Sequence, residues 1–391
     1  MNHIIMSNWP CLGAPKLEGM HVRSISRRGL RLTLGSLLCV ALVTAACGGD
    51  DGDEAASTTA SPETAAASEG GGGSDAEAAL DELVTAAQDE GSVTVYSSQG
   101  LDQLNALAEA FDAEYGIDVE VVRNTDADII PRVETELATN TSGGDLVVTA
   151  APVFMETQAE TGNWVDPTAS PQVAGLGDYD ADQYVHEGNF FEVGAAVLTF
   201  AWNTNDVPDG LSDYEDLLDP ELAGGRIAVV DPAIGPAVVD FYLWLEESFG
   251  EDFITDLAAQ EPRIYPSALP IGEALTSGEV SAAAYAAPVQ LVPAAANGAP
   301  VDYGVSEAGA WGARYFGAVP KSSDSPNAAA LLADFMVTAQ GQELVQGASG
   351  SVLPDIPGTL ITNDRVRIMD LEATAPEPAA EYVEEWNALF R

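Results

Sequence analysis

Histidine and cysteine are scarce in the 391-residue sequence, with three of each. Beyond residue 46 only His186 and Cys47 remain. A Ser-His-Asp or Cys-His catalytic arrangement would therefore have to use His186, in the polar stretch YVHEGNFF. A zinc site built from several histidines is excluded, and a single cysteine leaves no internal disulfide. The GxSxG, HExxH and phosphate-loop motifs are missing, so no catalytic residue, metal site or cofactor is predicted.

Basic residues are also few. The chain has 14 Lys and Arg against 62 Asp and Glu, a formal net charge of −48. Residues 1–46 hold five basic residues and one acidic residue, which leaves 9 and 61 in the remainder and a net charge of −52. Such a surface repels nucleic acid and anionic lipid headgroups, so neither is expected as a partner. The acidity favours solubility outside the cell and says little about a ligand.

The amino terminus has the pattern of a secretory signal. A stretch with four arginines precedes an apolar run at residues 32–43, and small residues, Ala45 and Ala46, follow it. The run is about a dozen residues long, short of the roughly 20 that a transmembrane helix needs. We therefore predict a signal peptide over residues 1–46. The order SRRGLRL is similar to a twin-arginine signal, which leaves the export route open.

Cys47 lies directly after the predicted cleavage point and resembles the acylated cysteine of bacterial lipoproteins. Residues 47–75 are mostly Gly, Ser, Thr, Ala, Asp and Glu, a composition that cannot bury enough apolar surface to fold. They are predicted to form a flexible tether. The protein is thus expected outside the cytoplasm, attached through the lipid on Cys47 to the outer face of the cell membrane.

Alternating strand and helix patterns follow. The apolar stretches VTVYSSQG, IDVEVV and GDLVVTAAP are separated by segments with apolar residues every three or four positions. This alternation predicts a parallel sheet with helices on both faces. Ligands bind such sheets at the carboxyl ends of the strands. The polar residues that follow these strands are the first candidates for a binding site: Ser97, Ser98, Gln99, Arg123 and Thr149.

The pattern restarts after the apolar strand AAVLTFAWNTNDVP. The stretches LAGGRIAVVDP, PAVVDFYLWLEESFG and TSGEVSAAAYAAP predict a second α/β lobe, and GARYFGAVPK predicts a strand that returns to the first. The predicted division is residues 76–200 for the first part of lobe 1, 201–311 for lobe 2, and 312–391 for the return to lobe 1 and the C-terminal helices. Tyr382, Trp386 and Phe390 are predicted to form a buried stripe on the last helix.

Four motifs in this order resemble the substrate-binding proteins of bacterial ABC importers, in the group that takes ferric iron, spermidine, thiamine, sugar phosphates and phosphonates. They are VTVYSSQGLDQLNALAEAFDAEYGIDVEVV, GDLVVTAAP with TGNWVDP, YEDLLDPELAGGRIAVVDP, and SGEVSAAAY with GQELV. The resemblance implies a two-lobe α/β fold of the type II periplasmic-binding-protein kind, with mixed sheets flanked by helices and hinged by crossover strands near residues 200–203 and 315–319. It also implies an ABC permease as partner, and we expect a monomer.

The ferric branch of this group is the nearest alternative in chemistry. Its histidine, glutamate and two tyrosine ligands correspond here to Gly100, Ala150, Pro288 and Val289. None of these side chains offers the anionic oxygen that ferric iron prefers. A ferric ion or ferric chelate therefore stays an alternative that needs other carboxylates or the chelating group itself.

Hydroxyl, amide, aromatic and arginine side chains remain as candidates for the cleft. Beyond the first lobe they are Asn203, Asp231, Tyr285, Gln290, Trp311 and Arg314. An arginine suits a carboxylate or phosphoryl group, although Arg123 and Arg314 could equally form salt bridges. Trp311 and Tyr285 could belong to the core, and Asp231 could bind an amine. We predict a small polar organic solute, with an anionic group favoured over an amine; a tethered extracellular enzyme or adhesin is the alternative of another class.

Overall fold

The computed structural model describes residues 72–391, with side-chain surroundings from residue 77 onward. The predicted signal peptide, most of the tether and Cys47 lie outside the described residues. No helix in the described part is both long enough and apolar enough to cross a membrane. The first helix begins at Gly72, a little before the predicted start at residue 76.

The first half of the chain forms the parallel sheet that the alternation predicts. Its elements are α1 (Gly72–Glu90), β1 (Ser92–Ser97), α2 (Leu101–Tyr115), β2 (Asp118–Arg123), α3 (Asp126–Thr139), β3 (Leu146–Thr149) and α4 (Pro152–Glu160). Strand β1 pairs in parallel with β2 on one side and β3 on the other. Leu104, Leu107 and Phe111 of α2 are buried, whereas Leu101 at the helix start is about half exposed.

Two antiparallel strands connect this sheet to the second half. After α5 (Ala181–Tyr184) and β4 (Val185–His186) comes the long strand β5 (Phe190–Asn203), which pairs with β10 (Trp311–Ala318) along its first part. Its last part pairs instead with strands of the second half. The register shifts near Gly194, whose φ of 136° is favoured by glycine. These strands are the crossovers predicted near residues 200–203 and 315–319.

The second half repeats the α/β arrangement. Its elements are β6 (Ile227–Val230), α6 (Pro236–Phe249), α7 (Phe253–Ala259), β7 (Arg263–Tyr265), α8 (Ala268–Ser277), β8 (Ala282–Ala286), α9 (Pro288–Ala296) and β9 (Val301–Gly304). Strand β6 pairs in parallel with β7 and β8, and the strand order through the molecule is β2-β1-β3-β10-β5-β8-β6-β7. Each half has its own apolar core.

The chain end departs from the predicted simple return to the first half. Helices α10 (Pro326–Met336) and α11 (Ala339–Gln346) pack on the first half, followed by β11 (Gly350–Ser351) and β12 (Ile361–Thr362). Helix α12 (Pro376–Phe390) then packs on α6 and α7, with Trp386 buried in the second core. Residues 363–375 therefore cross between the halves a third time. The division at residues 200 and 311 stays a prediction.

A buried carboxylate fixes this third crossing. Asp240 of α6 is completely buried and accepts hydrogen bonds from Trp311 Nε1 at 2.8 Å, Arg367 Nε at 3.0 Å and the Asp370 N–H at 3.0 Å. Trp311 belongs to crossover strand β10, and Arg367 and Asp370 belong to the third crossing. The single carboxylate thus joins three segments that are distant in sequence.

A second buried carboxylate makes folding stability depend on pH. Asp334 of α10 is 2% exposed and accepts the Gln172 N–H. Burial raises the pKa of its carboxyl from 3.8 to about 6, against the lowering effect of that hydrogen bond. Between pH 4 and 6 the folded state therefore binds more protons here than the unfolded state, so this group makes stability fall as pH rises.

Asp334→Asn should remove this dependence, because an amide keeps the acceptor for Gln172 and carries no charge. Relative to the unsubstituted chain, the variant should gain up to about 3 kcal/mol in free energy of unfolding between pH 4 and pH 7. Urea unfolding at both pH values measures it. Asp112→Asn, at an exposed position on α2, is the matched control, and equal pH dependence in the two variants would refute the assignment.

Candidate functional site

The polar turn after β1 lies at the carboxyl edge of the first sheet. The buried Ser97 hydroxyl accepts the Gln99 N–H at 3.1 Å and so shapes the turn itself. The Ser98 N–H donates to Val148 O of β3 at 3.2 Å, which holds the turn against the neighbouring strand. The Ser98 hydroxyl, in contrast, is buried without a hydrogen-bond partner. An unpaired buried hydroxyl costs free energy, so Ser98 Oγ is a candidate contact for a ligand.

Arg123 ends β2 beside this turn. Arg123 pairs in register with Ser97 of β1, and its Nε donates to Gln99 O at 3.2 Å. This bond orients the guanidinium and leaves its two terminal nitrogens available. The side chain is exposed, and no carboxylate lies within 4 Å of it among the described ion pairs.

Thr149 and Asp126 complete the polar edge. Thr149 ends β3, is fully buried, and its hydroxyl has no hydrogen-bond partner. Asp126 begins α3; its Oδ2 accepts the Ala150 N–H at 3.3 Å, while its Oδ1 is buried and unpartnered. Asp126 was not among the predicted ligand-binding residues, although it lies in the polar segment after β2 that the sequence places at this sheet edge.

Tyr315 of β10 faces the same group of charges. Burial raises the pKa of its hydroxyl to about 12; the Asp126 carboxylate adds to the increase and the Arg123 guanidinium opposes it. Crossover strand β10 therefore brings an aromatic hydroxyl to the polar edge formed by β1, β2 and β3. Tyr315 was visible in the sequence motif WGARYFG but was not among the predicted site residues.

Two cavities lie between the halves on either side of this region. One, of about 160 Å³, is lined by Gln99, Gly100, Gln103, Ala195, Ala196, Val289, Tyr315, Val345, Gln346 and Ser349. The other, of about 150 Å³, is lined by Ala150, Pro152, Ala237, Trp311, Gly312, Ala313, Arg314, Phe316, Arg367, Ile368 and Met369. Each is bordered by residues that follow a strand of the first sheet, by residues of a crossover strand and by a residue of a second-half helix. Together they define the cleft.

Arg314 and Trp311 have structural partners. Arg314 pairs with buried Glu192 at 3.2 Å and donates from Nε to Val366 O at 3.0 Å, and Glu192 also contacts His186 Nε2 at 3.1 Å. The Trp311 indole donates to Asp240, although Arg314 and Trp311 both border the second cavity. Arg314 thus forms the salt bridge, and Trp311 the core contact, that the sequence left open as alternatives to ligand binding.

Tyr285 is mostly buried in the second core. Its ring contacts Phe241 with centroids 4.9 Å apart and Trp311 at 5.8 Å. Burial raises the pKa of its hydroxyl well above the ordinary value, so it stays protonated at physiological pH. Tyr285 is the next-to-last residue of β8, yet it borders neither cavity of the cleft.

Three further predicted residues border neither cavity of the cleft. Asn203 lies at the opposite end of the second sheet, because β5 runs antiparallel to β8 and the cleft end of β8 faces Thr199; its side chain donates to Leu275 O at 2.7 Å. Asp231 accepts the Ala233 N–H and pairs with Arg391. Gln290 lines a separate groove of about 340 Å³ between α8 and α9.

Thr199 is a further candidate that sequence reasoning missed. It is 1% exposed, its hydroxyl has no partner, and it lies opposite Ala286, the last residue of β8. Its position inside an uninterrupted apolar strand hid it. Only the pairing of β5 with β8 shows which end of that strand meets the cleft.

Comparison with known proteins identifies the class. Residues 93–348 match the family of bacterial extracellular solute-binding proteins, and since this is more than half of the chain, the protein belongs to that family. Membership implies solute binding outside the cytoplasm and delivery to an ABC permease. It confirms the resemblance read from the four motifs. No curated protein matches the sequence.

Solved structures of periplasmic binding proteins share the fold. A putative extracellular solute-binding protein from Bordetella parapertussis is 17% identical, with a TM-score of 0.60 over 77% of this chain and 99% of that chain. Iron-bound HitA from Pseudomonas aeruginosa is 21% identical, with a TM-score of 0.53 over 76% and 99%. AfuA from Actinobacillus pleuropneumoniae, with fructose-6-phosphate bound, is 19% identical, with a TM-score of 0.52 over 76% and 98%. The type II α/β fold is thereby confirmed.

Thr149→Val tests whether the buried hydroxyl serves the ligand or the fold. Without ligand, the free energy of unfolding of the variant should be unchanged or higher by up to about 1 kcal/mol. Valine has the same shape as threonine and replaces the unpartnered hydroxyl with a methyl group. Thr374→Val is the matched control: its hydroxyl donates to Asp370 O, so the same substitution should destabilise by about 1 kcal/mol. Chemical denaturation measures both, and a clear loss of stability in Thr149→Val would contradict the assignment.

Proposed function

We propose that this protein is the lipid-anchored receptor of an ABC importer and that it captures a small polar organic solute carrying an anionic group. The observation that carries the proposal is the juxtaposition, at one sheet edge, of the Arg123 terminal nitrogens with the unpartnered hydroxyls of Ser98 and Thr149. Donors of this kind suit a carboxylate or phosphoryl group. A bound anion would satisfy polar atoms that the protein alone leaves without partners.

Binding would take place between the two halves, which we propose close as lobes over the solute. Strands β5 and β10 connect the halves, and the cavities border elements of both. Closure excludes water, which strengthens each polar contact with the solute. The proposed product of binding is a closed monomer that an ABC permease recognises; no chemical step is assigned, and His186 is engaged with Glu192.

A ferric ion or ferric chelate is the second candidate cargo. It draws support from the structural similarity to iron-bound HitA. Against it, no group of three or more His, Cys, Asp or Glu side chains within the described residues is arranged to hold a metal ion. A ferric chelate that supplies its own carboxylates would meet this objection and belongs in any ligand screen.

Arg123→Gln should weaken solute binding by about 10- to 100-fold, because a charge-assisted hydrogen bond contributes about 1.5–3 kcal/mol. The mature chain with Cys47→Ser, kept in solution, would first be screened by thermal shift. The screen would use amino acids, carboxylates, phosphonates, sugar phosphates, polyamines, ferric chloride and ferric citrate. Titration calorimetry then gives the affinities of the hits.

Arg132→Gln is the matched control for this test. Arg132 lies on α3 and is half exposed, paired with Glu136, so its substitution should leave binding unchanged. A screen in which no solute stabilises the protein would overturn the proposed function. Binding that Arg123→Gln leaves intact would instead overturn the assignment of the anion to Arg123.

The lipid anchor is proposed from the sequence alone. Cys47→Ser in the full-length precursor should abolish incorporation of labelled palmitate and move the protein from the membrane fraction to the soluble fraction. Cys39→Ser, within the predicted signal peptide, is the control and should leave both unchanged. Labelling that survives Cys47→Ser would show that the anchor is attached elsewhere.

A further inference from the structure

The arginines of the folded part differ in how much of each guanidinium is already used. Five pair with carboxylates: Arg132, Arg263, Arg314, Arg367 and Arg391. Arg226 and Arg365 each spend a terminal nitrogen on a backbone carbonyl. Within residues 77–391, Arg123 and Arg132 bond through Nε alone, and of these two only Arg123 lacks a carboxylate partner. Its fork of terminal nitrogens matches the two oxygens of one carboxylate.

Asp126 limits the negative charge that the ligand can carry. It begins α3 next to the loop that follows Arg123, and both charges act on Tyr315. A dianionic phosphate or a citrate at Arg123 would meet this carboxylate, and like charges in a partly buried site repel strongly. The single available guanidinium therefore fits a monoanion.

The same aspartate calls for a donor on the ligand. Asp126 Oδ2 is occupied by the Ala150 N–H, but Oδ1 is buried and has no partner. An ammonium or hydroxyl group next to the ligand's carboxylate would supply that hydrogen bond. Leaving a buried carboxylate oxygen unpaired is unfavourable, so a ligand with such a donor gains over one without it.

The walls of the two cavities specify the rest of the ligand. The cavity of about 160 Å³ contains Gln99, which holds Arg123, and its border combines the apolar residues Val289, Val345 and Ala195 with polar residues that include Gln346 and Ser349. The cavity of about 150 Å³ contains Ala150, which holds Asp126, and is bordered by Phe316, Ile368 and other mainly apolar side chains. An apolar cavity of about 150 Å³ can hold a benzene ring. Sugar hydroxyls would find few partners along the walls of this second cavity.

We propose that the solute is a monocarboxylate with an amino or hydroxyl group on the α-carbon and a hydrocarbon side chain. Its carboxylate binds Arg123 and the hydroxyls of Ser98 and Thr149, its α-substituent donates to Asp126 Oδ1, and its side chain occupies one of the two cavities. This assignment rests on the proposed function and narrows it. An α-amino acid and an α-hydroxy acid share the required chemistry.

The test compares three probes that differ only at the α-carbon: L-leucine, 2-hydroxyisocaproate and isocaproate. Titration of the mature Cys47→Ser chain should show binding of leucine or 2-hydroxyisocaproate at least 10-fold tighter than that of isocaproate. Asp126→Asn keeps an acceptor for the Ala150 N–H and should reduce this preference to less than threefold. The stronger of the first two probes identifies the α-substituent. Isocaproate binding as tightly as both would overturn the role of Asp126.

The apolar wall has its own matched pair of variants on α9. Val289→Thr, at the border of the first cavity, should weaken binding of the preferred probe several-fold, since it places a hydroxyl against the side chain. Val292→Thr lies on the same helix and is similarly exposed, but it borders neither cavity; it should have no effect. Equal weakening by the two variants would overturn the placement of the ligand's side chain. So would unchanged affinity in Val289→Thr, Val292→Thr and Phe316→Ser alike.

Failure of this assignment differs from failure of the proposed function. Binding of glucose 6-phosphate, citrate, spermidine or ferric citrate without binding of any leucine-like probe would overturn the α-substituted monocarboxylate and leave a solute receptor. Absence of binding by every probe and every solute in the broad screen would overturn both.

Discussion

The parallel pairing of β1 with both β2 and β3 is the constraint on which the site depends. Parallel strands end at the same edge of the sheet, so the residues that leave β1, β2 and β3 meet there although they are far apart in sequence. The hydrogen bonds from Ser98 N–H to Val148 O and from Arg123 Nε to Gln99 O join the three exits. The pairing of the backbone strands therefore determines which polar side chains meet at this edge.

Buried ion pairs hold the crossover strands against this edge. Glu192 with Arg314 joins β5 to β10, and Asp240 joins β10 and the third crossing to α6. Because desolvation offsets much of the attraction in such pairs, they add little net stability compared with apolar packing, but removing one partner leaves a buried charge. Their geometry instead fixes which residues of β10 face the cleft. Arg314 and Trp311 are thereby held by Glu192 and Asp240, and the neighbouring Tyr315 lies at the polar edge.

The sequence predicted the elements better than it predicted the partners. Apolar periodicity and polar strand exits are local properties, and they correctly placed Ser98, Arg123 and Thr149 at the carboxyl edge. Whether Arg314 is free or paired depends on Glu192, 122 positions away in sequence, which no local pattern records. Asn203 was placed at the wrong edge because strand direction in the second sheet is set by pairing with β8. The third crossing was missed because an amphipathic helix does not show which core receives it.

An anionic ligand on so acidic a protein is physically consistent. The net charge of the folded part is spread over a large surface, and at physiological ionic strength charges beyond about 8 Å are largely screened. The long-range field therefore acts mainly on the rate of encounter, which it lowers for an anion, while the affinity is set by contacts inside the cleft. At the polar edge the charges that act on Tyr315 are those of Arg123 and Asp126, which are of opposite sign. A ligand with one negative charge beside a hydrogen-bond donor interacts favourably with both Arg123 and Asp126. A multiply charged anion is instead repelled both by the long-range field of the acidic surface and by the Asp126 carboxylate.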